Sequence, residues 1–153
     1  MTSGTLTVKP LSGKLKRDTE TFGKMDPYCK VKLGSTTHET KVHSNAGKYP
    51  AWNDKLVFKR SNEEVVNIDV LDKDTFSSDT IGYVTIPLSK VVENKKVSEW
   101  HTLSYKGKMA GEILVEMEFI PDAGSSGPST QQFSGTSVMM GSQQPQYVQG
   151  FSQ

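Results

Sequence analysis

Apolar side chains recur at every second position in six short stretches of this 153-residue sequence. A period of two residues is typical of a β-strand with one buried face, because successive side chains of a strand point to opposite sides. The six stretches cover residues 6–8, 29–33, 56–58, 66–70, 84–86 and 113–119. Two weaker stretches, 38–42 and 100–103, bring the count to eight, with Gly, Pro, Asn, Asp and Ser between them. Eight short strands at this spacing predict an all-β fold, an eight-stranded antiparallel β-sandwich, and only residues 88–96 are a candidate for a short helix.

The composition changes abruptly at Pro121. All 18 basic residues and 16 of the 17 acidic ones precede it, so Asp122 is the only charged residue of the last 33. Those 33 residues include 22 that are Gly, Ser, Gln or Pro, too few apolar side chains to offset the entropy of ordering. We therefore predict one domain over residues 1–120 and a disordered tail over residues 121–153, which acts either as a flexible extension or as a docking segment for a partner protein.

Charge and apolar content exclude several classes of protein. The net charge is +1, whereas domains dedicated to nucleic acid are usually strongly basic. No apolar run approaches the roughly 18 residues that a membrane-spanning helix requires. The single cysteine, Cys29, cannot form an intramolecular disulfide, and this favours a cytoplasmic location. We expect Cys29, Trp52 and Trp100 to be core residues, and we find no phosphate-binding glycine loop or Ser/His/Asp constellation that would indicate an enzyme.

Residues 72–82 form an acidic segment that we predict to be a loop. Asp72 and Asp74 lie two positions apart and project the same way at a strand end, and Asp79 returns after a turn. Crowded carboxylates repel one another unless water or a cation separates them, and Ca²⁺ prefers 6 to 8 oxygen ligands. The alternative is that these aspartates are ordinary turn residues. An EF-hand is excluded, because Phe76 and Ser77 occupy positions that require an oxygen ligand and a glycine.

Three motifs in sequence order help to choose between a metal site and ordinary turn residues. They are Asp26-Pro27-Tyr28, then Pro50-Ala51-Trp52-Asn53, then Asp72-Lys73-Asp74 with Ile81-Gly82. In this order they resemble the C2 domain family over residues 4–120, in its circularly permuted type II arrangement, as in small plant C2 proteins with low-complexity tails. The resemblance implies a Greek-key sandwich that holds calcium between two loops at one end.

The resemblance also implies a set of metal ligands. By position, Asp26 is the ligand before Pro-Tyr, and Asp72, Asp74 and Asp79 are those of the later loop. The early ligand of the first loop falls on Glu20, where the family usually has aspartate, and Asp18 is an alternative. The later loop is one residue shorter than the common pattern. The glutamate at position 20 departs from the family pattern, which would weaken calcium binding or remove one of the family's two calcium positions.

Aromatic and basic residues suggest how such a site would meet a membrane. Phe22 and Phe76 lie in the middle of the two acidic loops, where their rings would enter the headgroup region. The alternative is that either ring folds back against the edge of the sandwich. Lys30, Lys32 and Lys41 resemble the basic patch with which some C2 domains hold phosphoinositides, although lysines on a strand are often simply its solvent-exposed face.

We therefore predict a non-catalytic module that binds anionic phospholipid membranes when calcium rises, moving there from the cytoplasm. Calcium is the expected cofactor. The rival hypothesis is a calcium-independent adaptor, in which the sandwich and the Gln/Ser-rich tail bind a partner protein.

Overall fold

The computed structural model describes residues 3–20 and 22–123. Its elements are eight strands and one short helix. In chain order they are β1 (Gly4–Leu15), β2 (Pro27–Leu33), β3 (Thr36–Glu39), β4 (Leu56–Arg60), β5 (Val65–Lys73), β6 (Ser78–Pro87), α1 (Ser89–Asn94), β7 (Lys96–Tyr105) and β8 (Lys108–Pro121). Residues 4–120 form one compact unit. Beyond residue 123, the predicted tail lies outside the described residues.

The strands are hydrogen-bonded in the order β3-β2-β5-β6-β7-β8-β1-β4. Between β6 and β7 a single residue pair, Tyr83 with Ser104, maintains the ladder, whereas β5 and β6 pair along almost their whole length. The sheet therefore turns at this point into two four-stranded layers, and the buried apolar residues of both form one core. The predicted eight-stranded antiparallel sandwich is confirmed.

Alternating burial along the strands follows the alternation in the sequence. Cys29 is fully buried in β2, and the buried Trp52 donates its indole N–H to the carbonyl of Pro27 at 3.1 Å. The prediction that Trp100 is a core residue is wrong. Its side chain is 41% exposed, with the Lys14 ammonium 4.5 Å from the ring centroid. Trp100 lies an odd number of positions from the buried Leu103, so the two side chains point to opposite faces of β7.

Two predicted boundaries are corrected. The third strand ends at Glu39 rather than residue 42, because the hydroxyl of Thr40, not its carbonyl, accepts the Cys29 N–H at 2.9 Å. Lys41 therefore lies in the β3–β4 connection. Residues 72–82 are mostly strand rather than loop: Asp72 pairs with Asp79 across β5 and β6, and only residues 74–77 turn the chain. A bulge between Val70 and Leu71 shifts this register.

Four connections meet at one end of the sandwich, which we call the loop end. They are residues 16–26, 40–55, 74–77 and 106–107. Arg17 donates from Nε to the carbonyl of Thr80 at 3.2 Å, and the Lys16 N–H donates to the carbonyl of Ala110 at 2.8 Å. The N–H of Asn45 donates to the Asp26 carboxylate at 2.7 Å. These contacts join chain segments that are far apart in sequence.

Gly111 lets β8 pass close to β1 at the loop end. Its φ is 143°, and a Cβ at this position would lie 2.6 Å from the carbonyl oxygen of Lys14 and 2.8 Å from the Cα of Leu15. Both atoms belong to the main chain and cannot move aside without displacing β1. Only glycine fits here.

We expect Gly111→Ala to lower the free energy of unfolding by about 3 kcal/mol, because backbone strain and overpacking add. Gly107→Ala is the matched control, since Gly107 also has a positive φ but nothing within 4 Å of its Cβ position. The control should lose about 1 kcal/mol. Urea denaturation of both variants measures the difference, and equal losses would contradict the close approach.

Candidate metal centre at the loop end

A fully buried carboxylate lies at the centre of the loop end. Asp72 has 0% exposed surface at the end of β5. Its Oδ2 accepts a hydrogen bond from the Thr19 hydroxyl at 2.7 Å, and its Oδ1 accepts one from the Asp26 N–H, also at 2.7 Å. Both donors come from residues 16–26. Asp72 thus links that loop to β5. The two hydrogen bonds replace part of the hydration that its carboxylate loses on burial.

Two further carboxylates lie against Asp72. One oxygen each from Glu20, Asp72 and Asp74 lies within 4.8 Å of the other two, and we call these three residues the acidic cluster. Glu20 comes from the first acidic loop, and Asp74 from the turn after β5. The structure therefore brings the two predicted acidic segments together.

The carboxylates of the cluster raise the pKa values of two of its members. A side-chain hydrogen bond to Asp72, loss of hydration, and the charges of Asp72 and Asp74 raise the pKa of Glu20 to about 7. The pKa of Asp74 is also raised, chiefly by a side-chain hydrogen bond with Asp79, then by loss of hydration and by the charges of Asp79 and Asp72. A carboxyl that retains a proton near neutral pH can donate a hydrogen bond to its neighbour, which partly compensates for the missing counter-charge.

The other predicted ligands border the cluster. Asp79 lies opposite Asp72 in the ladder and contacts Asp74. The main chain of Asp26 contacts Asp72, but its carboxylate accepts a hydrogen bond from Asn45 and is not one of the three clustered groups. Asp18, the alternative to Glu20, instead accepts the Glu20 N–H at 3.0 Å in a local turn. Of these two candidates, Glu20 is the one that joins the cluster.

Sequence reasoning missed Thr19 and Asn45, which position Asp72 and Asp26. Thr19 has no distinguishing spacing, because its partner is 53 positions away. Asn45 carries a weak signal, since Asn45-Ala46-Gly47 is a turn-like triplet and both Asn45 and Gly47 have positive φ values, 61° and 65°. Neither hydrogen bond follows from composition or periodicity.

Both aromatic residues of the acidic segments project into solvent. The exposed fraction of Phe22 is 87% and that of Phe76 is 98%. Neither ring folds back onto the sandwich edge. Large exposed apolar side chains at loop tips are typical of interaction surfaces.

The three predicted basic residues differ in their surroundings. The Nζ of Lys30 lies 3.7 Å from a carboxylate oxygen of Glu39 on β3. In the ladder between β2 and β5, Lys30 lies opposite Asp69. Lys32 is exposed on β2. Lys41 is exposed beyond the end of β3, and its N–H donates to the carboxylate of Asp54 at 2.5 Å. A carboxylate thus lies beside the ammonium group of Lys30, whereas the Asp54 carboxylate contacts the main chain of Lys41.

Comparison with known proteins agrees with this geometry. The family model for the C2 domain matches residues 4–103. The chain is 30% identical to the 16 kDa phloem protein 1 of Arabidopsis thaliana, over 88% of this chain and 96% of that protein. It is 31% identical to the multiple C2 domain and transmembrane region protein 8 of the same plant, over 63% of this chain but only 10% of that protein's length.

A solved structure shows the same fold. The structure of the two C2 domains of extended synaptotagmin 2, with calcium bound, is similar to this chain with a TM-score of 0.67 at 21% identity. The match covers 79% of this chain and 47% of that one. The chain belongs to the C2 domain family. Among the described residues, no helix has both the length and the apolar character needed to cross a bilayer.

The donor set at the loop end suits a hard divalent cation. All candidate ligands are carboxylate oxygens, without the cysteine or histidine that zinc sites favour. Asp72 is held by hydrogen bonds from Thr19 and Asp26, and its side chain contacts Glu20. A cation between these carboxylates would reduce their mutual repulsion.

We expect Thr19→Val to lower the free energy of unfolding by about 1–3 kcal/mol, because it deprives the buried Asp72 of one hydrogen bond. Thr19→Ser keeps a hydroxyl and should stay within about 0.5 kcal/mol of the unaltered protein. Urea denaturation in the presence of a chelator tests both variants. If serine and valine cost the same, the hydroxyl does not hold Asp72.

Proposed function

We propose that this chain is a non-catalytic module that binds anionic phospholipid membranes when calcium fills the acidic cluster. The observation that carries the proposal is the meeting of Glu20, Asp72 and Asp74 at one end of the sandwich, with Asp26 and Asp79 beside them. The raised pKa values of Glu20 and Asp74 support a site short of positive charge. Membership of the C2 family agrees with this interpretation.

Calcium fits the site better than magnesium does. Calcium accepts irregular arrangements of 6 to 8 oxygens, whereas magnesium demands a compact octahedron and keeps most of its water. Carboxylates on two separate segments, one of them fully buried, suit the more tolerant ion. The solved relative with calcium bound has the same fold.

Charge neutralisation would make the loop end compatible with a membrane. When all five carboxylates are ionised they contribute about −5 there, which repels an anionic surface, and two calcium ions would bring the sum to about −1. Lipid phosphate oxygens could then complete the coordination of the metal. Calcium thus removes a barrier and supplies a contact.

The exposed rings provide the apolar part of the interaction. Phe22 and Phe76 lie on the two segments that supply the acidic cluster, so both would approach the bilayer as the metal does. Lys30, Lys32 and Lys41 would add a weaker attraction of roughly 1 kcal/mol each near an anionic surface, reduced for Lys30 by Glu39. The module would reside in the cytoplasm and reach the membrane surface when calcium rises.

We expect Asp74→Asn to abolish calcium-dependent sedimentation with vesicles of phosphatidylcholine and phosphatidylserine. In chelator the same variant should raise the melting temperature, because it removes one of the crowded charges. Asp69→Asn is the matched control: it alters the same residue type on the neighbouring strand β5 but lies outside the acidic cluster. It should leave calcium-dependent sedimentation unchanged.

Co-sedimentation with calcium or with chelator distinguishes the outcomes. Equal pelleting of the unaltered protein in both conditions would refute calcium dependence and favour the adaptor hypothesis. Retained calcium-dependent pelleting of Asp74→Asn would refute the assigned site.

We expect Phe22→Ala with Phe76→Ala to weaken vesicle binding at least tenfold, because each ring that enters the headgroup region buries apolar surface. Calcium affinity, measured by calorimetry without vesicles, should not change. Val65→Ala, which alters an exposed apolar residue at the far end of β5, is the control. Unaltered vesicle binding by the double variant would show that the rings do not touch lipid.

A further inference from the structure

A group of cations lies beside the acidic cluster at the loop end. It comprises Lys16 and Arg17, directly after β1, and Lys106 and Lys108, at the β7–β8 turn. Within the described part of the chain, none of the four has a carboxylate oxygen within 4.0 Å, whereas Lys9, Lys30, Lys90 and Lys96 do. Several like charges at one end of the sandwich favour the approach of an anion.

Arg17 is held in a fixed position within this group. Its Nε donates to the carbonyl of Thr80 at 3.2 Å, and its guanidinium lies 3.8 Å from the centroid of the Tyr105 ring. The two Nη amino groups of the Arg17 guanidinium form no hydrogen bond with the described residues. A planar guanidinium that is already tethered and stacked loses little freedom when its remaining N–H groups bind a phosphate through two bonds.

Three of the four cations line a small open pocket of about 250 Å³. It is lined by Lys16, Arg17, Tyr105, Lys108, Met109 and Ala110. Drug-sized ligands usually occupy pockets of about 300–1,000 Å³, so this one suits a single phosphate-bearing group. Met109, 47% exposed, adds an apolar side chain to the basic rim.

The pocket and the acidic cluster face the same end of the sandwich. Arg17 is three residues before Glu20, and the carbonyl that Arg17 contacts belongs to Thr80, which follows Asp79. A surface that approaches one site therefore approaches the other. A nucleic acid would bring a continuous row of phosphates across the acidic cluster, whereas a lipid surface can place a single phosphate in the pocket.

We infer that this pocket binds the phosphate of an anionic phospholipid headgroup while calcium occupies the neighbouring acidic cluster. The inference rests on the membrane binding proposed above. Arg17 contacts the phosphate with its fork, Lys16 and Lys108 supply positive charge, and Met109 lies against the lipid below the headgroup. The membrane then has two polar contacts at the loop end, which fixes the tilt of the domain as well as its affinity.

The test compares two pairs of lysine substitutions. Lys16→Gln with Lys108→Gln removes two charges from the pocket, and Lys90→Gln with Lys96→Gln removes two near the start of β7. Because β7 runs from Lys96 to Tyr105, the control pair lies roughly 30 Å from the pocket. Binding to phosphatidylcholine vesicles containing phosphatidylserine is measured with calcium and with chelator, and calcium affinity is measured by calorimetry without vesicles.

In calcium, the pocket pair should weaken vesicle binding about tenfold and the control pair less than about twofold. Calcium affinity without vesicles should stay the same in both. Arg17→Lys, which keeps the charge but loses the fork, should weaken vesicle binding about fivefold with calcium affinity retained.

If both lysine pairs weaken vesicle binding equally, overall charge explains the loss and the pocket does not bind a headgroup phosphate. Unaltered vesicle binding by the pocket pair, or by Arg17→Lys, would overturn the inference as well. The two proposals fail separately. If the unaltered protein binds vesicles equally in calcium and chelator while the pocket pair still loses binding, the pocket stands and the calcium mechanism falls.

Discussion

One buried carboxylate organises the loop end of this domain. Asp72 has no exposed surface, and a carboxylate in that position is strongly disfavoured unless hydrogen bonds replace its hydration. The Thr19 hydroxyl and the Asp26 N–H supply two of them, and both belong to the segment between β1 and β2. Solvating Asp72 therefore requires that segment to lie against β5, and this places Glu20 beside Asp72 and Asp74. The acidic cluster is a consequence of satisfying a single buried group.

Charge at the loop end is separated rather than balanced. The hydrogen bond from Arg17 to the carbonyl of Thr80 connects a residue of the basic pocket to the residue that follows Asp79. The net charge of +1 conceals this pattern, because carboxylates and cations of nearly equal number cancel in the sum. Divalent ions in the acidic cluster would neutralise most of its negative charge, while the basic pocket beside it stays positive. The same surface could then attract a membrane that it otherwise repels.

Two predictions from the sequence fail for identifiable reasons. Large aromatic residues are usually buried, which favours a core position for Trp100. Trp100 nevertheless lies three positions from the buried Leu103, an odd number, so its side chain is on the outer face of β7. A segment rich in Asp and Ser favours a loop over residues 72–82, yet pairing between β5 and β6 continues through Asp72 and Asp79. In this hairpin, cross-strand hydrogen bonds override local preference.

The sequence alone determined the class of fold, because a period of two residues commits each stretch to one buried face and leaves an all-β sandwich as the arrangement that buries all of them. Through the resemblance to the C2 family, the three motifs also indicated Asp26, Asp72 and Asp74 as candidate ligands, and of these Asp72 and Asp74 lie in the acidic cluster. Tertiary structure decided the rest. The choice of Glu20 over Asp18, the support from Thr19 and Asn45, and the pocket around Arg17 all depend on contacts between segments far apart in sequence. Such contacts depend on how the strands pair in three dimensions, and no local pattern encodes them.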